Sequence, residues 1–362
     1  MYHWEDIETY EAHLQSMLGA EPWCIDDLNY RDGVLEITGW ALAPEGQHAA
    51  VTFMVNDREF EEISFPLPRP DIGEVFWYKR GAALAQFRCR SGRVPEETRA
   101  RGYLNLRCVH RETRLPFREE FDYFYPCERD EPPMPSVERR KRVSGGESAE
   151  VFRLEGFTTF IKLDRALRRT FNKGISKFAS VLDWGCGCGR VTRYLLQSGT
   201  AAVTGIDIDP DNVRWCQENF AAGTFLHVPL HPPVDLERAA FDLIIGISVF
   251  THLKMRDQIE WLYELMRVAK TGGVLLMTVL GAAAVSRARY SPSVVREWQT
   301  TGFIAHENLD LKGYIEDDSY YVNTCMTTEY IRQNWSRFFE VVDIIPAYIG
   351  NMQDLVILRK VG

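Results

Sequence analysis

Residues 181–190 read Val-Leu-Asp-Trp-Gly-Cys-Gly-Cys-Gly-Arg. An apolar run enters a turn with three alternating glycines, and a segment that can form a helix leaves it. Glycine accepts positive φ and lets a ligand approach the main chain closely. In an open α/β sheet such a turn lies at the carboxyl edge of the strands, where ligands bind. A dinucleotide fingerprint requires Gly-x-Gly-x-x-Gly. Counted from Gly185 the sixth position is Arg190, and counted from Gly187 it is Thr192, so that test fails. A phosphate-binding loop also fails, for want of Gly-Lys-Ser/Thr. The motif here is Asp-x-Gly-x-Gly-x-Gly. The carboxylate of Asp183 would repel a pyrophosphate and suits a ligand with an ammonium group.

A second acid follows in Gly205-Ile206-Asp207-Ile208-Asp209, with Asp207 lying 18 residues beyond Gly189. A carboxylate ending the second strand can accept hydrogen bonds from both hydroxyls of a ribose. Capping of the next helix falls to Asp209, followed by Pro210 in the first turn. A ligand with an amino-acid portion, a ribose and no phosphate is S-adenosylmethionine.

VLDWGCGCGR followed by GIDIDP resembles class I S-adenosylmethionine-dependent methyltransferases. FDLIIGISVFTHL and VAKTGGVLLMTV look like that family's fourth and fifth strands, and NMQDLVILRK looks like its last. The resemblance covers about residues 150–360. It implies that Asp183, Gly185, Cys186, Gly187 and Gly189 surround the methionine and ribose part of the cofactor. It further implies that Asp207 takes the ribose hydroxyls and that Ile208 covers one adenine face. Many relatives carry Asp or Asn after the third strand for the adenine amine. Here that stretch is His227-Val228-Pro229-Leu230-His231-Pro232-Pro233, with no acid, so a backbone carbonyl near Leu230 or the His231 side chain must serve. Phe152–Gly156 are candidates to cover the cofactor.

The sulfonium is already a strong electrophile. The protein must align the nucleophile and, for a hydroxyl, remove a proton. Ser248-Val249-Phe250-Thr251-His252 follows the fourth strand and should hang over the methyl group. His252 is the candidate general base, against the alternative of a purely structural histidine, and Ser248 is a candidate cofactor contact. The stretch 287–327, read as a long irregular segment, is the expected acceptor cover. It contributes His306, Tyr314, Tyr320 and Tyr321 as candidate substrate contacts, with Tyr348 reaching in from the last hairpin. No metal site is expected. Cys186-Gly187-Cys188 reads as small residues tolerated in a tight turn, without redox or metal work.

The elements that must position these groups follow from periodicity. From residue 143 onward strands and helices alternate, which predicts an α/β domain with a doubly wound, Rossmann-like methyltransferase sheet over 143–362. Met255–Ala269 reads as a helix burying Ile259, Leu262, Tyr263 and Met266. Residues 1–127 read as a short N-terminal helix followed by a separate antiparallel β domain, sandwich-like, with strands near 34–42, 50–55, 58–65, 84–89, 103–109 and 117–125. Ser91-Gly92 is among its expected turns. Pro132, Pro133 and Pro135, ahead of the basic run Arg139–Arg142, mark 128–142 as a linker, with anion contact the lesser reading.

Composition sets the outer bounds. At roughly 150 residues per domain, 362 residues make about two domains. With 45% hydrophobic and 26% charged residues, disorder and small disulfide scaffolds are excluded. A net charge of −9 gives no global attraction for nucleic acid or anionic membranes. Eight scattered cysteines, no apolar leader and no spanning segment point to the cytoplasm. The expected activity is O-methylation of a small polar acceptor or a sugar or glycan. The alternatives are N- or C-methylation of a natural-product intermediate, or a non-catalytic S-adenosylmethionine-binding module. Oligomeric state is not legible.

Overall fold

The computed structural model describes residues 7–93, 102–127, 132–200, 202–308, 317 and 319–362. The chain forms two compact units. One comprises 1–130, 148–158 and 283–293, and the other 131–147, 159–282 and 294–362.

The first unit opens with the helix Ile7–Leu18, which buries Tyr10, Leu14 and Leu18 at a spacing of four. Two four-stranded antiparallel sheets follow. One runs in the order Trp23–Arg31, Val34–Ala41, Gln86–Arg93, Glu62–Leu67, and the other Arg58–Glu59, Val51–Val55, Tyr103–His110, Tyr123–Pro126. Phe53 and Phe87, one from each sheet, meet at 4.3 Å between ring centroids with Trp23 beside them. Trp23 is 3% exposed, and its indole N–H donates to the Phe121 carbonyl at 2.8 Å.

Several sequence expectations change in this unit. Trp23–Arg31 is a strand that alternation did not reveal, because its Asp26-Asp27 pair sits at a bulge between Ile25 and Asp27. Ser91-Gly92 lies inside a strand rather than at a turn, and the strand expected over 117–125 begins only at Tyr123 and runs to Pro126. Trp23, Tyr30, Tyr123 and Tyr125 are buried and pack the sandwich.

The second unit contains the sheet in the order Thr224–His227, Ala202–Asp207, Ser180–Trp184, Phe241–Gly246, Ala269–Leu280. These five strands run parallel. Gln353–Arg359 then pairs antiparallel to Ala269–Leu280, and Glu340–Ile349 antiparallel to Gln353–Arg359. Central strands are apolar on both faces, as a covered parallel sheet requires. Leu182 and Trp184 belong to one core with Trp261, Leu262 and Trp335, and Val181 to another with Leu163, Leu167 and Leu195. The doubly wound α/β sheet and the separate antiparallel β domain are therefore both present.

The linker reading of 128–142 is corrected over its described part. Val137–Ser144 is a helix, capped by Ser136 at its start and by Gly145 at φ +73° at its end. Arg140 is buried, and its guanidinium donates to the Pro135 and Glu147 carbonyls. Lys141 pairs with Glu147, Arg142 with Asp209, and Arg139 stacks over Trp215. The basic run is thus engaged within its own unit. Arg140→Ala is expected to lower stability by about 2–3 kcal/mol, since it strands the buried Pro135 carbonyl and removes the charge-assisted bonds to the Glu147 carbonyl. Urea unfolding followed by circular dichroism checks this, and a change under about 0.5 kcal/mol would contradict it.

Two further corrections bear on the site. Residues 287–327 are not one irregular loop. Among the described residues they contain the helix Pro292–Thr301 and an antiparallel pair, Phe303–Glu307 with Val322–Met326. The helix Met255–Val268 buries Trp261, Leu262, Leu265 and Val268, whereas Tyr263 is 59% exposed. Its inward stripe is rotated from the expected one toward the larger indole.

Candidate functional site

The strand order reverses between Ser180–Trp184 and Phe241–Gly246, because the chain builds outward on one side and then returns to build the other. At such a reversal the loops at the carboxyl ends diverge and leave a crevice. A pocket opens there, lined by Asp183, Gly185, Cys186, Gly187, Asp207, Ile208, Ser248 and His252, together with Tyr320 and Tyr321.

The glycine turn is held from below and closed from above. The amides of Gly185 and Cys186 donate to the Ile206 carbonyl at 2.8 and 3.1 Å. The Gly187 amide donates to Asp207 Oδ2 at 2.7 Å. Gly185 and Gly187 have φ +76° and +52°. A Cβ on Gly187 would stand 3.0 Å from the Val143 side chain, and one on Gly185 would collide with Val249. Gly189, also at positive φ, is absent from the pocket lining; a Cβ there would strike the Phe220 ring. Its bare backbone serves packing, which corrects its assignment as a ligand contact.

Asp183 is 3% exposed and accepts from Thr192 Oγ1 at 2.5 Å. Burial pushes its carboxyl up to about 6, opposed by the Thr192 hydrogen bond and assisted by the charge of Asp207. Asp207 accepts the Gly187 amide on one oxygen and the Asp209 amide, at 2.9 Å, on the other. Burial likewise raises it to about 6, against those two donors. Each oxygen keeps a further acceptor site for a ribose hydroxyl. Asp209 caps Pro210–Asn219 through the amides of Asp211 and Asn212.

His252 Nδ1 lies 3.0 Å from the Val322 carbonyl, and its ring stacks on Tyr321 at 4.1 Å between centroids and 17°. A carbonyl only accepts, so Nδ1 carries a proton and donates it to that carbonyl. Ser248 sits at φ +59°, its amide bonded to Thr278 Oγ1 at 2.7 Å and its hydroxyl to the Gln353 side chain. A β-carbon-bearing residue held in the left-handed region at the crevice is strain of the kind found at ligand sites.

Other expectations are not met. The Leu230 carbonyl accepts from Trp261 Nε1 at 3.2 Å and Tyr320 Oη at 2.6 Å, which occupies both lone pairs. Leu230 is outside the pocket lining and is not available to the adenine amine. Tyr348 is buried and donates to the Lys162 carbonyl at 2.9 Å. His306 is in the exposed half of Phe303–Glu307, and neither it nor Tyr348 lines the pocket. Tyr314 lies outside the described residues. Phe152–Gly156 belongs to the helix Ala149–Phe171 and is not in the lining; Arg142 and Val143 are the upstream residues that reach the pocket.

Trp261 lies off the expected apolar stripe of its helix, on the face that is in fact buried. It lies 4.9 Å from Trp184 and extends an aromatic wall that includes Tyr320. The only sequence signal for Arg142 was the basic run.

Residues 181–273 match the family model described as "Methyltransferase domain". This part of the chain is a class I S-adenosylmethionine-dependent methyltransferase domain. The malonyl-[acyl-carrier protein] O-methyltransferase of Salmonella typhimurium is 33% identical over 134 residues, covering 36% of this chain and 49% of that protein. A tRNA U34 carboxymethyltransferase of Shewanella putrefaciens is 36% identical over 112 residues, covering 29% and 32%. A solved S-adenosylmethionine dependent methyltransferase from Mesorhizobium loti matches with TM-score 0.41 at 15% identity, over 54% of this chain and 96% of that one. The chain spans about half the length of the malonyl-[acyl-carrier protein] O-methyltransferases it matches.

S-adenosylmethionine is the cofactor of the methyltransferase domain, and the pocket suits it. Two carboxyls face a cationic ligand, and the Gly187 turn provides close backbone approach. A pH dependence follows. Both carboxyls have folded pKa values raised above the unfolded value near 3.8. Ionising them therefore costs the cofactor-free protein stability as pH climbs from about 4 to about 6. A cationic ligand favours their charged forms, so affinity is expected to rise between about pH 5 and 7 and then level off, with protons released on binding near pH 6. Calorimetry in buffers of different ionisation enthalpy measures this. Flat affinity over that interval would oppose it.

Proposed function

We propose that this chain is an O-methyltransferase that acts on a small polar acceptor or a sugar hydroxyl in the cytoplasm. The carrying observation is His252, whose Nδ1–H is spent on the Val322 carbonyl so that Nε2 is the basic nitrogen beside the pocket. Asp183, Gly185, Cys186, Gly187, Asp207, Ile208 and Ser248 would hold S-adenosylmethionine, and Tyr320 and Tyr321 would border the acceptor. When bound, the cofactor supplies an electrophilic methyl group. The chain's own task is to orient the acceptor hydroxyl, exclude water with the Trp184–Trp261 wall, and take up the hydroxyl proton at His252 Nε2. The first unit acts as an accessory domain.

An acceptor with a hydroxyl is favoured over N- or C-methylation because the pocket presents a base, and a non-catalytic binding role would leave that base without purpose. The net charge of −9 supports acceptors other than nucleic acid. Among the described residues no disulfide links the cysteines, in keeping with a reducing compartment. Among the described residues no helix is long and apolar enough to cross a membrane. The test is S-adenosylhomocysteine formation with a panel of hydroxylated metabolites and sugars. Turnover confined to amine or carbon acceptors, to an acyl carrier or to RNA would replace this reading. Cofactor binding without turnover on any of them would favour the binding module.

A further inference from the structure

Asp257 and Glu260 stand three residues apart near the start of the helix Met255–Val268, on one face. His231, from the segment after the third strand, meets them there. Its Nδ1 lies 3.3 Å from Asp257 Oδ1 and 3.7 Å from Glu260 Oε2. One potential ligand atom from each of the three lies within 4.8 Å of the other two.

Two features separate this group from an ordinary surface ion pair. Asp257 is only 6% exposed, and among the described residues His231 stands within ion-pair distance of its carboxylate, at 3.3 Å. A mostly buried carboxylate is costly unless a cation compensates it. Glu260 is also divided in its tasks. Its Oε1 accepts from Arg256 Nε at 2.9 Å, while Oε2 is the oxygen nearest His231.

Bonds of about 2.0–2.2 Å in a tetrahedron put ligand atoms about 3.3–3.6 Å apart, whereas the short octahedral bonds of magnesium would put neighbours nearer about 3 Å. The distances of 3.3 and 3.7 Å to His231 Nδ1 lie close to the tetrahedral spacing, and the choice of ion rests on ligand type. An imidazole with two carboxylates suits zinc over magnesium or calcium.

We propose that His231 Nδ1, Asp257 and Glu260 bind one zinc-class divalent ion, with a fourth position open to water. The His231 and Glu260 side chains are 52% and 33% exposed, which supplies an entry path. None of the three lines the cofactor pocket, so the ion acts as a clamp and takes no part in the chemistry. It fastens the segment whose Leu230 carbonyl receives Trp261 and Tyr320, the wall of that pocket, and the Tyr320 ring meets the His231 ring edge-on at 5.2 Å.

Equilibrium dialysis of the chelator-treated full chain against zinc chloride, with cobalt(II) as a visible-absorption probe, tests the site. The expected result is one bound equivalent and the intense bands of tetrahedral cobalt. His231→Ala and Glu260→Gln should each weaken binding at least about tenfold, because even groups that only support a metal's ligands cost that much when lost. Both positions are partly exposed, and Tm measured without metal verifies that the variants fold. No bound ion in the native chain, or undiminished binding in either variant, overturns the proposal and leaves an ion pair only.

Discussion

Asp207→Ala is expected to weaken S-adenosylmethionine binding by about 10²–10⁴-fold, and at ordinary concentrations calorimetry should then record no heat. The estimate rests on two charge-assisted hydrogen bonds to ribose hydroxyls, each worth about 1.5–3 kcal/mol. Asp207 also accepts the Gly187 and Asp209 amides, so alanine loosens the glycine turn as well. Asp207→Asn separates these contributions. It keeps the shape and one acceptor oxygen but loses the charge, so an intermediate affinity is expected. Affinity within about threefold of native in the alanine variant, with Tm unchanged, would mean that the carboxylate does not touch the cofactor.

His252→Ala should lower turnover by about 10²–10⁴-fold, the usual contribution of a positioned base. Cofactor affinity should persist, because the cofactor's main anchors are the glycine turn and the two acids. The native pH–rate profile should show an acidic limb from protonation of His252, and the variant should lack it. His252→Gln tests whether hydrogen bonding alone suffices, since glutamine can replace the bond to the Val322 carbonyl but cannot take a proton. Full turnover in either variant would remove His252 from the chemistry and reduce it to a packing residue stacked on Tyr321.

The outcome for individual residues shows which kinds of signal carry from sequence to structure. The placement of Asp183, Gly185, Gly187 and Asp207 at the pocket is legible because it is fixed locally. A turn that must take positive φ announces itself through glycine, and a carboxylate at a strand end is placed by its neighbours in the chain. The placement of His252 and Ser248 at the pocket is legible for the same reason, since they follow the fourth strand directly. Leu230 was misassigned because nothing local reveals that its carbonyl is already bonded by Trp261 and Tyr320, 31 and 90 residues away. Gly189 was misassigned because the Phe220 ring that fills its space comes from the far end of another helix. The helix Val137–Ser144 was hidden by the prolines before it and by a composition so charged that no apolar stripe shows; the carbonyls that anchor Arg140 are visible only in the folded chain.

Order along the chain alone determined the alternation of strands and helices, the glycine turn, and the acid that follows it at the next strand's end. Those features depend on contacts within a few residues, where side-chain type and backbone geometry are tightly linked. Tertiary structure decided which aromatic residues wall the pocket, which ring nitrogen of His252 donates to a carbonyl, and that His231, Asp257 and Glu260 meet. Each of these depends on segments brought together across the sheet, and periodicity within one segment carries no information about what will pack against it.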